Sequence, residues 1–493
     1  MSALEDALTA DIREREASLL RFAFCQGSNR TIVREPVAAT PRLLATTAGA
    51  RPGQARPERA TPLPFGTADL LEAAQFPAFP AAAGAENASD RLGHALVTAF
   101  GPQRREPANA YNDHRGFPSV RSKFPVHAFV TAGGRHWWLD VYRHALLDMD
   151  VAAGLADSGR VMLAARYSDL PDVYGDMRGP LTELELGISL RALCVAYDLF
   201  GLRYRIDLPD GAAEPALRQL KLDPVWGWSL PVAVRSPAAP PSSPPAAEPA
   251  AAATDALLRE AVAVNRMAAL RPADTPAPGS AIPACRVRTA LSWAEVLWTR
   301  SSGGMPRGLY GVAGRRQPKP FTVVREAIDW LLVPPPAALL RQVMRELTVT
   351  VCLQDIEDHP DGVYRLADGA IHGVRQSSQI GTEMERDYLH PQTMQVGCGV
   401  RLANMIWVIS VRARQLINGT GLWAWPLALL VSGWMTQGLC LAAAAHGLYA
   451  RPARAFSEIQ AQRLLGFAPD ELILIGVTCG TSRHFESALD LRI

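Results

Sequence analysis

Between Ser236 and Thr254 the chain reads SPAAPPSSPPAAEPAAAAT. Proline withholds backbone donors and alanine has little surface to bury, so this stretch builds neither sheet nor core. It predicts a semi-rigid, extended linker. Its position constrains everything else, because 493 residues are too many for one compact core and the linker falls near the middle. The expected organisation is an N-terminal helix and flexible arm over 1–90, a first domain over 91–235, the linker over 236–254 and a second domain over 255–493. Within the arm, the Pro-, Ala- and Gly-rich residues 46–90 read as a poorly ordered segment or long loop.

The two halves repeat one another. Arg191–Tyr204 reads RALCVAYDLFGLRY and Gln437–Ala450 reads QGLCLAAAAHGLYA, so Leu, Cys, Ala and a closing Gly-Leu coincide without a gap. Each is an apolar helix ended by glycine, Gly201 or Gly447, the residue that accepts a left-handed cap. Upstream, WLDVYRHALLDM (Trp138–Met149) and GVYRLADGAI (Gly362–Ile371) both read as strand–turn segments carrying Val-Tyr-Arg. Their tyrosines, Tyr142 and Tyr364, are thereby expected to be equivalent core residues. Two copies of one α+β unit is the organisation this implies.

Short apolar, β-branched runs at Val126–Thr131, Thr348–Leu353, Ile406–Val411 and Glu471–Val477 predict buried strands. Helices are expected at Ser89–Phe100, Pro180–Phe200, Thr254–Ala269, Thr322–Leu332, Ser432–His446 and Ser457–Gly466, the last with Ser457 as N-cap. From Gln415 to Ala450 no charged side chain occurs, a run long enough to cross a bilayer. Asn418-Gly419, Pro426, Gly433 and Gln437 interrupt it and no basic cluster orients it, so a buried core helix is the expected reading.

Lys+Arg 50 against Asp+Glu 48 leaves no electrostatic footprint for nucleic acid or an anionic membrane. Seven scattered cysteines without a CxxC pair argue against a disulfide framework or a zinc site and suit a reducing, cytoplasmic setting. The start, MSALEDALTADIRERE, is acidic and helix-like and lacks the pattern of a signal peptide. No Rossmann glycine pattern, P-loop or serine-hydrolase elbow occurs.

In order, the second half carries TRSS (Thr299–Ser302), DGVYRL (Asp361–Leu366), GLCLAAAAHGL (Gly438–Leu448), EIQAQRLLGF (Glu458–Phe467) and LILIGVTCG (Leu472–Gly480). The first half carries RGFPSVRSKFPVHAFV (Arg115–Val130). This order resembles the SagB-type branch of the nitroreductase-like flavoproteins, which includes azoline dehydrogenases of peptide natural products. The resemblance implies an α+β fold: two nitroreductase-like domains, each an antiparallel-rich sheet flanked by helices, forming an internal pseudo-dimer. It implies FMN as cofactor, and oxidoreductase activity on a small-molecule or peptide-derived natural-product intermediate. Other biosynthetic enzymes would be partners, with neither nucleic acid nor membrane involved.

The halves depart from that family in complementary ways. Its phosphate-holding Arg-x-Ser stands in the second half at Arg300 and Ser302, and its flavin-underlying Pro-Ser stands in the first at Pro118 and Ser119. In the second half the stretch corresponding to Pro-Ser, Val333–Leu347, lacks it. One composite FMN site is therefore expected, its symmetry mate having decayed. An arginine and a hydroxyl suit a phosphate, the first as a fixed fork and the second as a donor. Gly480 and Arg483, in a CGTSR segment expected to turn directly after a strand, would lie near that phosphate. Arg115, Lys123 and Gln437 complete the candidate cofactor set. Arg115 also reads, with Tyr111 and His114, as a substrate-side group, and Gln437 equally as a helix-to-backbone donor. His446 reads as a partner of its helix's C-terminal dipole. No catalytic acid or base stands out, and no lysine precedes a tyrosine as in the Lys-Tyr pair of the azoline dehydrogenases. A non-catalytic scaffolding or peptide-binding partner with a degenerate flavin site is the competing reading.

Overall fold

The computed structural model describes residues 13–23, 52–53, 55–78, 87–109, 111–153, 159–222, 224–237, 256–284, 289–304, 312–388, 399–454, 456 and 458–493. Most of the Pro/Ala linker lies outside them, as does Ser457.

The first half opens with helix α1 (residues 13–23), strand β1 (Arg56–Pro62), α2 (Thr67–Glu72) and α3 (Ala88–Phe100). Short strands β2 (Pro102–Arg105) and β3 (Asp113–Arg115) precede the hairpins β4 (Val126–Ala132), β5 (Arg135–Asp140), β6 (Ala145–Ala152) and β7 (Arg160–Ala165). Then come α4 (Arg178–Leu199), β8 (Arg205–Asp207), α5 (Ala213–Gln219) and β9 (Val232–Arg235). The second half runs α6 (Ala256–Arg266), α7 (Trp293–Thr299), β10 (Gly314–Arg315), α8 (Phe321–Leu331), α9 (Ala338–Glu346), β11 (Leu347–Leu353), β12 (Gly362–Ala367) and β13 (Ala370–Gln376). It closes with α10 (Ile380–Tyr388), β14 (Met405–Arg412), α11 (Ala413–Thr420), α12 (Ala424–Ala445), β15 (Tyr449–Ala453), α13 (Glu458–Leu465), β16 (Glu471–Ser482) and β17 (Leu489–Asp490).

Each half folds around one antiparallel sheet. The first has the order β1-β6-β5-β4-β7-β9-β8; in the second, β13-β12-β11-β14-β16 follow one another with β15 beside β16. Setting β1 and β10 aside, the two orders are the same. The two central helices match as well. Pro180 and Pro426 sit in the first turns of α4 and α12, where a missing N–H costs nothing. Gly201 and Gly447 follow their ends at φ 63° and 64°.

The halves meet through these helices. A Cβ added to Gly187 of α4 would lie 1.8 Å from the Leu430 carbonyl oxygen, and one on Gly433 of α12 would lie 2.1 Å from that of Leu184. Reciprocal glycines thus let the two backbones touch. Both helices are buried on nearly every face, and all residues of α12 are buried. Most of the uncharged run is therefore a core helix, as expected, and that helix begins eight residues before the expected Ser432.

Three expectations need correction, and one helix was not legible in the sequence. Part of the N-terminal arm is built into the fold: β1 pairs with β6, and α2 packs beside α7. The Val-Tyr-Arg match is not a structural equivalence, because Tyr364 lies buried within β12 while Tyr142 lies in the turn after β5 and is 47% exposed. Val333–Leu347 contains a further helix, α9, that the proline run obscured. CGTSR does not begin with a turn, since β16 continues to Ser482 and pairs with β15 and β10.

The tail of the second half crosses to the first. β17 pairs with β2, and the Leu491 amide donates to the Gln103 carbonyl at 3.0 Å.

Candidate functional site

The segment from Arg115 to Phe124 is the joint of the two halves. It must leave β3 and re-enter the sheet at β4, with Pro118 and Pro125 restricting the path. Arg121, Ser122 and Phe124 adopt φ of 49°, 52° and 47°, a left-handed conformation that non-glycine residues reach only at a cost. Side chains from both halves hold this shape. Arg300, after α7, donates from Nε to the Arg115 carbonyl at 3.1 Å. Gln437 of α12 donates from Nε2 to the Gly116 carbonyl at 3.1 Å. From α4, Glu185 accepts the Val120 amide at 2.5 Å and a hydrogen bond from Ser119. The Ser119 hydroxyl also accepts the Phe124 amide at 2.9 Å.

Arg300 and Ser302 are brought together, Nη1 to Oγ at 3.3 Å. Arg300 is only 2% exposed, and burial, reinforced by nearby Arg104, pulls its guanidinium down to about 10. Arg104 turns its own Nη1 to the carbonyls of Trp298 and Arg300. Among the described residues no carboxylate pairs directly with Arg300. Two guanidiniums thus share a buried corner in which the one acid bound, Glu106, lies on Arg104 at 3.0 Å and on His114 at 3.0 Å. Such a corner favours an additional anion.

The other candidates fall in different places. Gly480 is inside β16, where the Tyr449 hydroxyl and the Ala403 Cα lie 3.0 and 3.2 Å from a Cβ built on it. Gly303 and Gly314 face the same Tyr449 ring or hydroxyl, so Gly480 makes room for a tyrosine. Arg483 is exposed, and its amide donates to the Ala313 carbonyl at 2.8 Å. His484 lies 3.5 Å from a Cβ built on Gly304, which sets the end of β16 next to the Arg300–Gly304 segment. Lys123 is buried beside Arg121, and desolvation together with that charge lowers its pKa. Pro118 lies in the gripped joint itself. His446 pairs with buried Glu326 at 2.5 Å in addition to capping its helix.

Sequence reasoning missed the acids. Glu183 and Glu185 stand on α4 where α12 has Leu429 and Val431, both fully buried. Burial pushes Glu183 up to about 8 and Glu185 up to about 7, the latter opposed by its hydrogen bonds and by Arg115. The available signal was two acids on α4 at positions where α12, its counterpart, carries no charged residue. These groups hold their protons in the folded chain at pH values where the unfolded chain, titrating near 4.5, has lost them. Stability from this source is therefore full below about pH 4.5 and is lost as pH rises toward 7 and 8. At about 1.4 kcal/mol per pKa unit, the loss is on the order of several kcal/mol. Urea midpoints are expected to fall between pH 5 and pH 8, and Glu185→Gln to flatten part of that fall; a profile unaltered by the substitution would remove Glu185 from the account.

Gln437 has a counterpart on α4, Arg191, and the surroundings of the two differ. Arg191 donates to the carbonyls of Trp330 at 2.7 Å, Trp434 at 3.0 Å and Ala281 at 3.1 Å. Trp330 stacks on Phe76 at 5.3 Å, and Trp293 meets both rings. All four of these aromatic side chains are fully buried. The mirror position of the joint is solid aromatic packing.

No family model matches the sequence, and no curated protein does. Among solved structures, a protein of Anabaena variabilis ATCC 29413 assigned as a nitroreductase aligns over 80% of this chain and 88% of its own, with TM-score 0.58 and 16% identity. That likeness shows the nitroreductase fold. An Escherichia coli microcin synthetase complex, McbBCD with truncated pro-MccB17, aligns over 37% of this chain and 71% of its own (14% identity, TM-score 0.30). An assigned nitroreductase of Ralstonia eutropha JMP134 aligns over 43% and 96% (15% identity, TM-score 0.29). Scores at that level have no bearing on the fold.

Proposed function

We propose that this chain is a cytoplasmic FMN-dependent oxidoreductase built from two tandem nitroreductase-like copies of the SagB type, over 91–235 and 255–493, acting on a peptide-derived natural-product intermediate. One observation carries the reading: Arg300 of one half, with Ser302 beside it, donates to the Arg115 carbonyl at the start of the other half's Arg115–Ser119 segment, in a corner with two buried guanidiniums and one carboxylate. That donor set fits a phosphate, which would supply the missing negative charge. Arg300 and Ser302 would hold it, with Arg483 approaching from the end of β16 and Pro118-Ser119 lying beneath the ring system. A bound flavin supplies two-electron transfer. The chain's own part is to fix the joint, keep water from the buried corner and hold protons on Glu185 and Glu183. The aromatic filling around Arg191 argues for a single site per chain.

Denaturing the purified protein and quantifying released flavin is expected to give about one FMN per chain; two equivalents, or FAD, would defeat the composite site. A second reading, a non-catalytic peptide-binding partner, draws on Arg300 being already engaged by the Arg115 carbonyl and almost sealed. Protein purified colourless, and left so after incubation with FMN, would favour it.

A further inference from the structure

A solvent-open cleft lies on the first half, between the joint, β4, β5 and the turn after β5. Its lining includes Arg115, Phe124, His127, Trp138, Asp140 and Tyr142. Most of its polar groups are already satisfied. The Trp138 indole N–H donates to His127 Nδ1 at 3.1 Å, so His127 carries its proton on Nε2 and gives it to Asp169 at 2.8 Å. Asp140 Oδ1 accepts the amides of Tyr142 and Arg143 at 3.1 Å each, and Oδ2 faces Arg143 at 3.4 Å. The Tyr142 hydroxyl donates to Asp113 at 2.7 Å and interacts with Arg115.

Arg115 is the exception. It is 6% exposed, its guanidinium lies 4.0 Å over the Phe124 ring, and its Nε–H has no partner among the described residues. A buried donor left unpaired is costly, and a bound acceptor relieves that cost. We propose that this cleft takes a carboxylate carried on a short apolar or aromatic body. A planar monoanion matches the guanidinium fork. Asp140 in the lining and Asp113 beside Arg115 and Tyr142 disfavour a dianion such as phosphate, and Phe100, Val126, Trp138 and Leu139 supply apolar walls. The carboxylate comes either from a free small acid or from the C-terminus of a peptide. Calling that acid the substrate rests on the function proposed above; the binding itself does not.

Calorimetric titration of the full chain with benzoate, and with benzamide as its uncharged analogue, tests this. Benzoate is expected to bind at least about tenfold more tightly than benzamide, since the ion pair adds charge-assisted hydrogen bonds. Arg115→Gln is expected to lose at least about tenfold, and Arg115→Lys, which keeps charge without the fork, to lose less. A phenylalanine-ending peptide with a free carboxylate, set against its amide, distinguishes the peptide source from the free acid. Equal binding of benzoate and benzamide, no benzoate binding at millimolar concentration, or undiminished binding by Arg115→Gln would each overturn the proposal. If Arg115→Gln fails to fold, the two-ligand comparison on the unaltered chain, with Trp138→Leu to shrink the wall, still decides. Benzoate binding in Arg300→Ala separates the two readings, for if it persists while flavin is lost or never present, only the flavin reading is in question.

Discussion

Gly433→Val is expected to leave the chain largely unfolded, and Gly433→Ala to cost about 3 kcal/mol or more, the upper end for overpacking a tight core. The atoms in the way are the Leu184 carbonyl oxygen at 2.1 Å and the Ile188 amide nitrogen at 3.0 Å, and backbone cannot move aside as a flexible side chain can. Gly187→Ala, which meets the Leu430 carbonyl from the other side, should cost a similar amount. Gly419 is the control: it lies in α11 with nothing within 4 Å of an added Cβ. Gly419→Ala should stabilise by about 0.5–1 kcal/mol, the ordinary gain of alanine over glycine in a helix. Urea denaturation of the four variants gives the comparison. A Gly433→Ala protein as stable as Gly419→Ala would mean that α4 and α12 do not touch backbone to backbone.

Arg300→Ala is expected to weaken FMN binding about ten- to a hundredfold, the worth of a charge-assisted contact of roughly 1.5–3 kcal/mol. Ser119→Ala should do less, about two- to tenfold, since a neutral hydrogen bond contributes about 0.5–1.5 kcal/mol. Arg300 also donates to the Arg115 carbonyl, so its removal orphans a buried acceptor and destabilises the joint as well. Arg300→Lys controls for this by keeping charge, and a denaturation curve for each variant isolates the folding component. Fluorescence titration with FMN reads the affinity. Binding undisturbed in Arg300→Ala would place the phosphate elsewhere.

The helical repeat was readable because its signals are local: a glycine cap and the spacing of Leu, Cys and Ala recur wherever the same helix must pack the same way. Strand positions were legible for a similar reason, as β-branched runs at Val126, Thr348 and Ile406 have few other uses in a buried sheet. The Val-Tyr-Arg match misled because three residues carry no register, and one copy continues as strand where the other turns. β1 was hidden by composition, since an edge strand needs backbone pairing more than apolar side chains, and RPERATP offers little else. At the joint, Gln437 was legible as a donor seeking backbone; its partner, more than 300 residues away in the chain, was not. Arg300 and Ser302 lie together as spaced, while Gly480 has a packing explanation in Tyr449 that no motif contains.

The equivalence of α4 and α12 has one more consequence. In an assembly of two identical chains every substitution appears twice, so a change that improves one cleft is imposed on the other. Here the corresponding positions are encoded separately, and they have separated: Arg191 against Gln437, Glu185 against Val431, Glu183 against Leu429. One copy of the interface can harden into a structural keystone, with Trp330 and Trp293 packed around Arg191, while the other stays free to change its chemistry. Joining the two halves in one chain also fixes their pairing, since neither has to find the other by diffusion.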